Sequence, residues 1–268
     1  MKKNIYLSIQ PCFVKLNAIR RALQYLPIAA LVLAVNTANA TEVNELIRHI
    51  DQLWRGTTSK TTLAMTVKTR RYQRTMLMDA WSHGKHYSLV VIRSPVKDRG
   101  IATLKVEDNI WNYLPKINRV TKVPSSMMAG SWMGSHFTND DLVKESTFED
   151  DYNSTITFEG QKGTQNMIEI TSTPKPNAPV VWGKVVMMID KETLTPTASL
   201  YYDEENKLIR TIEFSHLKTI NGKQIPMELK LTPEEKPDET TTILYQDMEF
   251  DVPIDTDFFS LQNLQKRR

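Results

Sequence analysis

The chain has 268 residues, with 34 Lys+Arg against 31 Asp+Glu, one Cys and 40% apolar residues. Residues 1–40 hold five of the cations and no acid, so 34 less these five leaves 29 cations against 31 acids in the rest of the chain. That balance disfavours a nucleic-acid binder, which needs a cationic surplus where it folds to neutralise phosphates, and the apolar content excludes a disordered chain.

At the N-terminus Arg20-Arg21 precedes an apolar run, Ala22–Val35, broken by Gln24 and Pro27, and then Ala38-Asn39-Ala40. Charged, apolar and small-x-small regions in that order predict a secretory signal peptide cleaved after Ala40, and the run is too short to span a bilayer comfortably. Ile19 and Ala22 around the Arg pair fit the twin-arginine route poorly, so Sec export is the better match. Cys12 falls in the segment to be removed. No Cys follows the cleavage site to accept a lipid, and no later stretch is apolar enough for a transmembrane helix. The expectation is a periplasmic protein with one mature domain, 41–268.

Val43, Leu46, Ile47, Ile50, Leu53 and Trp54 fall on one helical stripe, with Thr41 as a plausible cap and Gly56 as a stop. From there the period switches to two. Leu63, Met65 and Val67 alternate with polar or small residues, as do Ile225, Met227, Leu229 and Leu231, the mark of strands with one wet face. Asn221-Gly222 between two such runs is the strongest hairpin signal. Further turns are expected at His83-Gly84, Asp108-Asn109, Glu159–Gly163 and Glu204–Asn206. About ten or eleven strands over 61–123 and 151–250, without βαβ alternation, predict an α+β domain built on one curved antiparallel sheet. Between Pro124 and Glu145 the pattern stops being strand-like. Two short helical pieces are expected there, the second capped by Thr138, lying over the sheet.

The chemistry of catalysis is sparse. The five histidines are scattered, no HExxH, CxxC or EF-hand loop occurs, and no Gly-rich phosphate loop is present. No metal or cofactor is expected. Ser131-Trp132-Met133-Gly134-Ser135 resembles a nucleophile elbow only loosely, lacking the G-x-S-x-G order, and the acids at 140–141 and 149–151 are explained by capping and turns. An enzyme is disfavoured. Soft apolar surface is what the sequence over-supplies: the chain after residue 40 keeps 11 of 12 Met and all five Trp. Met76 and Met78 share one strand face while Leu77 and Trp81 share the other, so either both faces are covered or one lines a cavity for an apolar ligand. Candidate cavity and lid residues are Met76, Met78, Trp81, Trp111, Met127, Met128, Trp132, Met133 and Phe137, the methionines supplying an adaptable surface.

Ser94-Pro95, Gly100-Ile101-Ala102, Ile110-Trp111-Asn112-Tyr113-Leu114-Pro115-Lys116-Ile117-Asn118-Arg119-Val120, Gly134-Ser135-His136-Phe137-Thr138-Asn139-Asp140-Asp141-Leu142 and the closing Phe258-Phe259-Ser260-Leu261 resemble the outer-membrane lipoprotein-sorting (LolA-like) family. The branch is the one typified by an uncharacterised treponemal domain, and the similarity covers 41–264. The resemblance implies a half-open antiparallel barrel, closed on its concave side by helices, whose apolar cavity receives acyl chains of a lipid or lipoprotein. It also implies partners among inner-membrane ABC or other transporter components. The family's arginine latch has three candidates here, Arg70, Arg71 and Arg74. Two other readings remain open at this point: an interaction module of an envelope transporter or efflux complex, and an envelope hydrolase using Ser131 or Ser135.

Overall fold

The structure is a computed structural model describing residues 42–144 and 148–266. The expected signal peptide and the Thr41 cap lie outside the described residues. A helix, α1, covers 42–51, and the chain then enters β1 (Thr58–Lys68), β2 (Gln73–His83), β3 (Tyr87–Ser94), β4 (Ala102–Val106), β5 (Asn109–Leu114) and β6 (Arg119–Lys122). A long connection carries two 3-10 turns, Ser125–Met127 and Trp132–Gly134, and the short helices α2 (Asp141–Lys144) and α3 (Phe148–Asp151). Then follow β7 (Tyr152–Lys162), β8 (Gln165–Pro174), β9 (Lys184–Asp190), β10 (Thr195–Tyr202), β11 (Leu208–Ile220), β12 (Lys223–Pro233) and β13 (Thr240–Phe250), with a last helix, α4 (Leu261–Lys266).

All thirteen strands form one open, curved antiparallel sheet in the order β6-β5-β4-β3-β2-β1-β13-β12-β11-β10-β9-β8-β7. The fold class expected from the period-two pattern is the one observed, with more strands because the short β4 and β6 carry too few residues to show a period. Asn221 and Gly222 have φ of 49° and 78° and join Ile220 to Lys223, the doubly positive geometry of a type I′ hairpin. Gly56, with φ of 56°, closes the turn that follows α1, its N–H donating to the Gln52 carbonyl at 3.3 Å.

Register explains where the core sits. Ile170, Met187, Ser199, Ile212, Leu231, Thr241 and Val67 are successive cross-strand partners, so they form one row on one face. The next row runs Phe214, Leu229, Ile243, Met65 and Met76. Residues from both halves of the sheet, Met76 and Met78 with Val185 and Tyr201, belong to one buried cluster. Distant strands can share a cluster on one face only if that face is the concave one.

Both ends of the described chain pack on the sheet. Val43, Ile47 and Ile50 of α1 bury against Ile168, Ile170 and Ile189 of β8 and β9. Phe259 and Leu264 bury against Leu89, Leu104 and Tyr113 of β3 to β5. The second contact is on the opposite face: Trp81, Leu89, Leu104 and Trp111 form a cross-strand row of their own.

Candidate functional site

β6 and β7 are consecutive in sequence but lie at opposite edges of the sheet. The connection between them must cross the concave face, and it forms a strap there. The strap is held in shape by its own backbone: the Trp132 N–H donates to the Phe137 carbonyl at 2.8 Å, the Asn139 N–H to Gly130 at 3.0 Å and the Asp140 N–H to Met128 at 2.9 Å. Met133 and Gly134 have φ of 49° and 71°, turning the tip so that Trp132 and Phe137 both face the sheet. Each is almost fully buried, at 5% and 7% exposure, among Met65, Met76, Met78 and Ile212. The indole Nε1–H donates to Thr103 Oγ1 at 3.1 Å, and Thr103 in turn donates to Asn112 Oδ1 at 2.8 Å, so the one polar atom of the Trp132 ring is satisfied inside the core.

Two polar ties fix the strap beyond this. Asp141 accepts from Arg210 of β11 through both oxygens, at 2.7 and 2.6 Å. The Arg210 guanidinium lies against both the Trp182 and Tyr201 rings, 4.4 and 4.3 Å from their centroids, the rings themselves meeting edge to face at 5.2 Å. This is a bidentate, stacked arrangement that a lysine could not reproduce. Asp141 also accepts from the Thr138 N–H at 2.7 Å while Thr138 Oγ1 accepts from the Asp141 N–H at 3.2 Å, so the α2 cap and the ion pair share one carboxylate. The second tie is His136, whose N–H donates to Thr241 Oγ1 at 3.0 Å and whose ring nitrogens lie 2.8 Å from Thr241 Oγ1 and 3.4 Å from Glu239 Oε2. Burial works to raise the Glu239 pKa, but the His136 hydrogen bond, the Arg70 N–H and the Lys236 charge outweigh it and hold the carboxyl below its ordinary range.

Under the strap, Phe137, Phe148, Tyr152, Trp182, Tyr201 and Ile212 with the Arg210–Asp141 pair enclose a cavity of about 20 Å³, room for about one water. Burial, with Asp151 and Asp140 nearby, pushes the Tyr152 phenol far above its ordinary pKa, so it stays neutral. On the outer side of the strap an open groove of about 420 Å³ runs between Ser125, Ser126, Met128 and Ala129 and the β8–β9 loop at Pro179 and Val181.

Met76, Met78, Trp132 and Phe137 therefore come together on the concave face, with Met133 packed against them. Met128 lines the outer groove and Met127 is 60% exposed. Trp81 and Trp111 are parted from this set, on the opposite face under the C-terminal segment. Among the latch candidates, Arg70 and Arg71 sit exposed in the β1–β2 hairpin and Arg74 lies 3.7 Å from Asp98; the arginine that ties the strap is Arg210. Its signal is present in the sequence: Leu208, Arg210, Ile212 and Phe214 alternate, which puts a cation on an apolar stripe. The Ser131 hydroxyl donates to the Ser135 carbonyl and the Ser135 hydroxyl to the Trp132 carbonyl at 2.7 Å. The His136 ring faces Thr241 and Glu239, and the bonds that both serine hydroxyls donate among the described residues go to strap carbonyls. Among the described residues no group of His, Cys, Asp or Glu is placed to hold a metal ion, and no helix is long and apolar enough to cross a membrane.

An open antiparallel sheet with a strapped concave face is the LolA-like fold. A domain from Vibrio parahaemolyticus described as outer-membrane lipoprotein-sorting is 22% identical, with a TM-score of 0.72 over 85% of this chain and 100% of its own. A DUF1329 family protein from Desulfovibrio piger is 21% identical, with a TM-score of 0.75 over 84% and 99%. A LolA superfamily protein from Nitrosomonas europaea is 16% identical, with a TM-score of 0.70 over 82% and 98%. No curated protein matches the chain. Residues 84–266, more than half of the chain, match the profile of a family described as "uncharacterized protein"; the chain belongs to that family, and its fold is LolA-like.

Proposed function

We propose that the protein is a periplasmic carrier or chaperone that takes acyl chains of a lipid or lipoprotein between the strap and the concave face and carries them towards the outer membrane. On this reading, residues 1–40 direct export and are removed. The observation that carries it is the nature of the cover: a crossing segment, docked by Trp132 and Phe137 and tied through Arg210–Asp141 and His136, lies over the apolar Met65, Met76 and Met78 face, with Trp54, Val180 and Trp182 packed against the same cluster. An acyl chain can take the place of those two rings. Burying methylenes gains roughly 0.8 kcal/mol each, so a chain of about fourteen gains on the order of 11 kcal/mol before the work of lifting the strap. The lipoprotein-sorting description of the Vibrio domain agrees with this reading.

A second reading, an interaction module of an envelope transporter or efflux complex, is favoured by the small size of the cavity, about 20 Å³. Native mass spectrometry of protein purified from the periplasm without detergent separates the two. Co-purified lipid or acylated peptide is the expected result. Lipid-free protein from repeated mild preparations, with inner-membrane transporter components co-purifying, refutes the carrier.

A further inference from the structure

Hairpins of an antiparallel sheet alternate between its two ends, so the β1–β2, β3–β4 and β5–β6 loops all emerge at one end, side by side. Their contacts show it: Arg74, just past the first loop, lies 3.7 Å from Asp98 in the second, and a Cβ added to Gly100 in the second would sit 3.3 Å from Pro115 in the third. Each loop presents an apolar side chain to solvent: Tyr72 at 49% exposure, Val96 at 76%, and Leu114 and Ile117 at 40% and 64%. Single exposed apolar residues need no explanation, but four on three touching loops make a patch.

The same loops carry Arg70, Arg71, Lys97, Arg99 and Lys116, and Arg119 opens β6 beside them, all exposed. Among the described residues none of these side chains is paired with a carboxylate; Arg99 donates from Nε to the Arg93 carbonyl at 3.0 Å. The acids close by are already engaged. Asp98 faces Arg74, Asp79 pairs with Arg93 at 3.3 Å, and Glu239 accepts from the Arg70 backbone N–H at 3.4 Å and faces His136. The far half of the same end is net acidic: Asp203, Glu204 and Glu205 in the β10–β11 loop and Glu234, Glu235 and Asp238 in the β12–β13 loop outnumber Lys207 and Lys236, of which Lys207 pairs with Glu235 at 2.8 Å.

We infer that the β1–β6 half of this end docks the protein on an anionic lipid bilayer. Tyr72, Val96 and Ile117 would enter the headgroup boundary, and the six cations would meet lipid phosphates. The acidic half is repelled, so the molecule would stand tilted rather than flat. Aliphatic tips have no counterpart on a nucleic-acid backbone, and cations ringing apolar tips on separate turns suit a deformable interface better than a preformed protein surface.

The inference does not rest on the cargo reading, and its test is independent of it. Protein purified from the periplasm is sedimented with vesicles of phosphatidylcholine alone, or with roughly a quarter phosphatidylglycerol, at about 50 and about 300 mM NaCl. Binding to the anionic vesicles only, weakened several-fold by salt, is expected. Lys97→Glu with Lys116→Glu should weaken it by roughly tenfold or more, and Val96→Ser with Ile117→Ser by roughly fivefold with the salt dependence retained. All four positions are exposed, and unchanged thermal unfolding checks that the variants fold. Lipid extracted into the protein would appear in the supernatant, separating cargo uptake from docking. Equal binding to both vesicle types, variants that bind as the parent does, or capture of an acidic protein without vesicle binding would each overturn the inference.

Discussion

Asp141→Asn is the sharpest test of the strap. Asparagine keeps an oxygen for the Thr138 N–H, so the α2 cap can survive while the charge opposite Arg210 is lost. Arg210 and Asp141 side chains are 5% and 13% exposed, and breaking such a pair by removing one partner costs about 3–5 kcal/mol, because the remaining charge stays buried. Undocking the strap releases Trp132 and Phe137, whose burial is worth about 1.5–3 kcal/mol each. The two costs are comparable, so the substitution should show itself as an opened strap rather than as global unfolding. If the closed form loses about 3–5 kcal/mol against the open one, the open population rises by roughly two to four orders of magnitude. Hydrogen exchange at the Trp132, Asn139 and Asp140 amides, whose bonds exist only within the strap, reads this directly. Adding Arg210→Met should restore protection, since an apolar residue of similar length in place of a buried charge is neutral or stabilising once its partner is also neutral. Unchanged exchange in Asp141→Asn, or no recovery in the double variant, would refute the idea that this pair holds the strap.

Trp132→Ala should cost about 3–5 kcal/mol in chemical denaturation, from lost burial and the cavity left beside Met76 and Met78, whereas Trp132→Phe, which gives up chiefly the bond to Thr103, should cost about 1 kcal/mol; equal costs would deny the indole its docking role. Burial, helped by the Lys223 charge, lowers the His49 pKa below its ordinary 6.5, so the unfolded chain binds the proton more readily. His49 therefore imposes no penalty above about pH 6.5 and costs stability as pH falls through that value, by at most about 1 kcal/mol for this half-buried ring. His49→Gln should flatten stability between pH 7.5 and 5 by about that amount, and an unaltered profile would contradict the assignment.

The strands were legible because one wet face leaves a period of two, and Asn221-Gly222 was legible because few residue pairs tolerate positive φ twice. The concave face was harder. Trp81 looks as suitable for a cavity as Met78, since in a strand covered on both sides alternation separates the faces without saying which is concave. That depends on Phe258 and Phe259, far along the chain, covering the Trp81 side. The strap could be seen as a break in the pattern, and Thr138 as its cap. Its attachment could not, because Asp141 reads as an ordinary first-turn acid and its partner lies sixty-nine residues away. An arginine within an apolar alternation was the available sign.

In the sheet every neighbouring pair of strands is consecutive in the chain except β1 and β13. The molecule is thus two meanders, β1 to β6 and β7 to β13, zipped along one seam. Each meander lends an arm to the other: α1, from the first half, covers β8 and β9, while Phe259 and Leu264, from the second, cover β3 to β5. Neither half is therefore a finished domain, since each would leave bare the apolar surface its counterpart's arm conceals. The strap joins the halves at the edges farthest from the seam and touches the α1 arm only through Phe148 and the Arg48–Glu149 pair at 2.6 Å, so lifting its Trp132 tip would leave the seam in place and let the sheet spread like a book held at the spine.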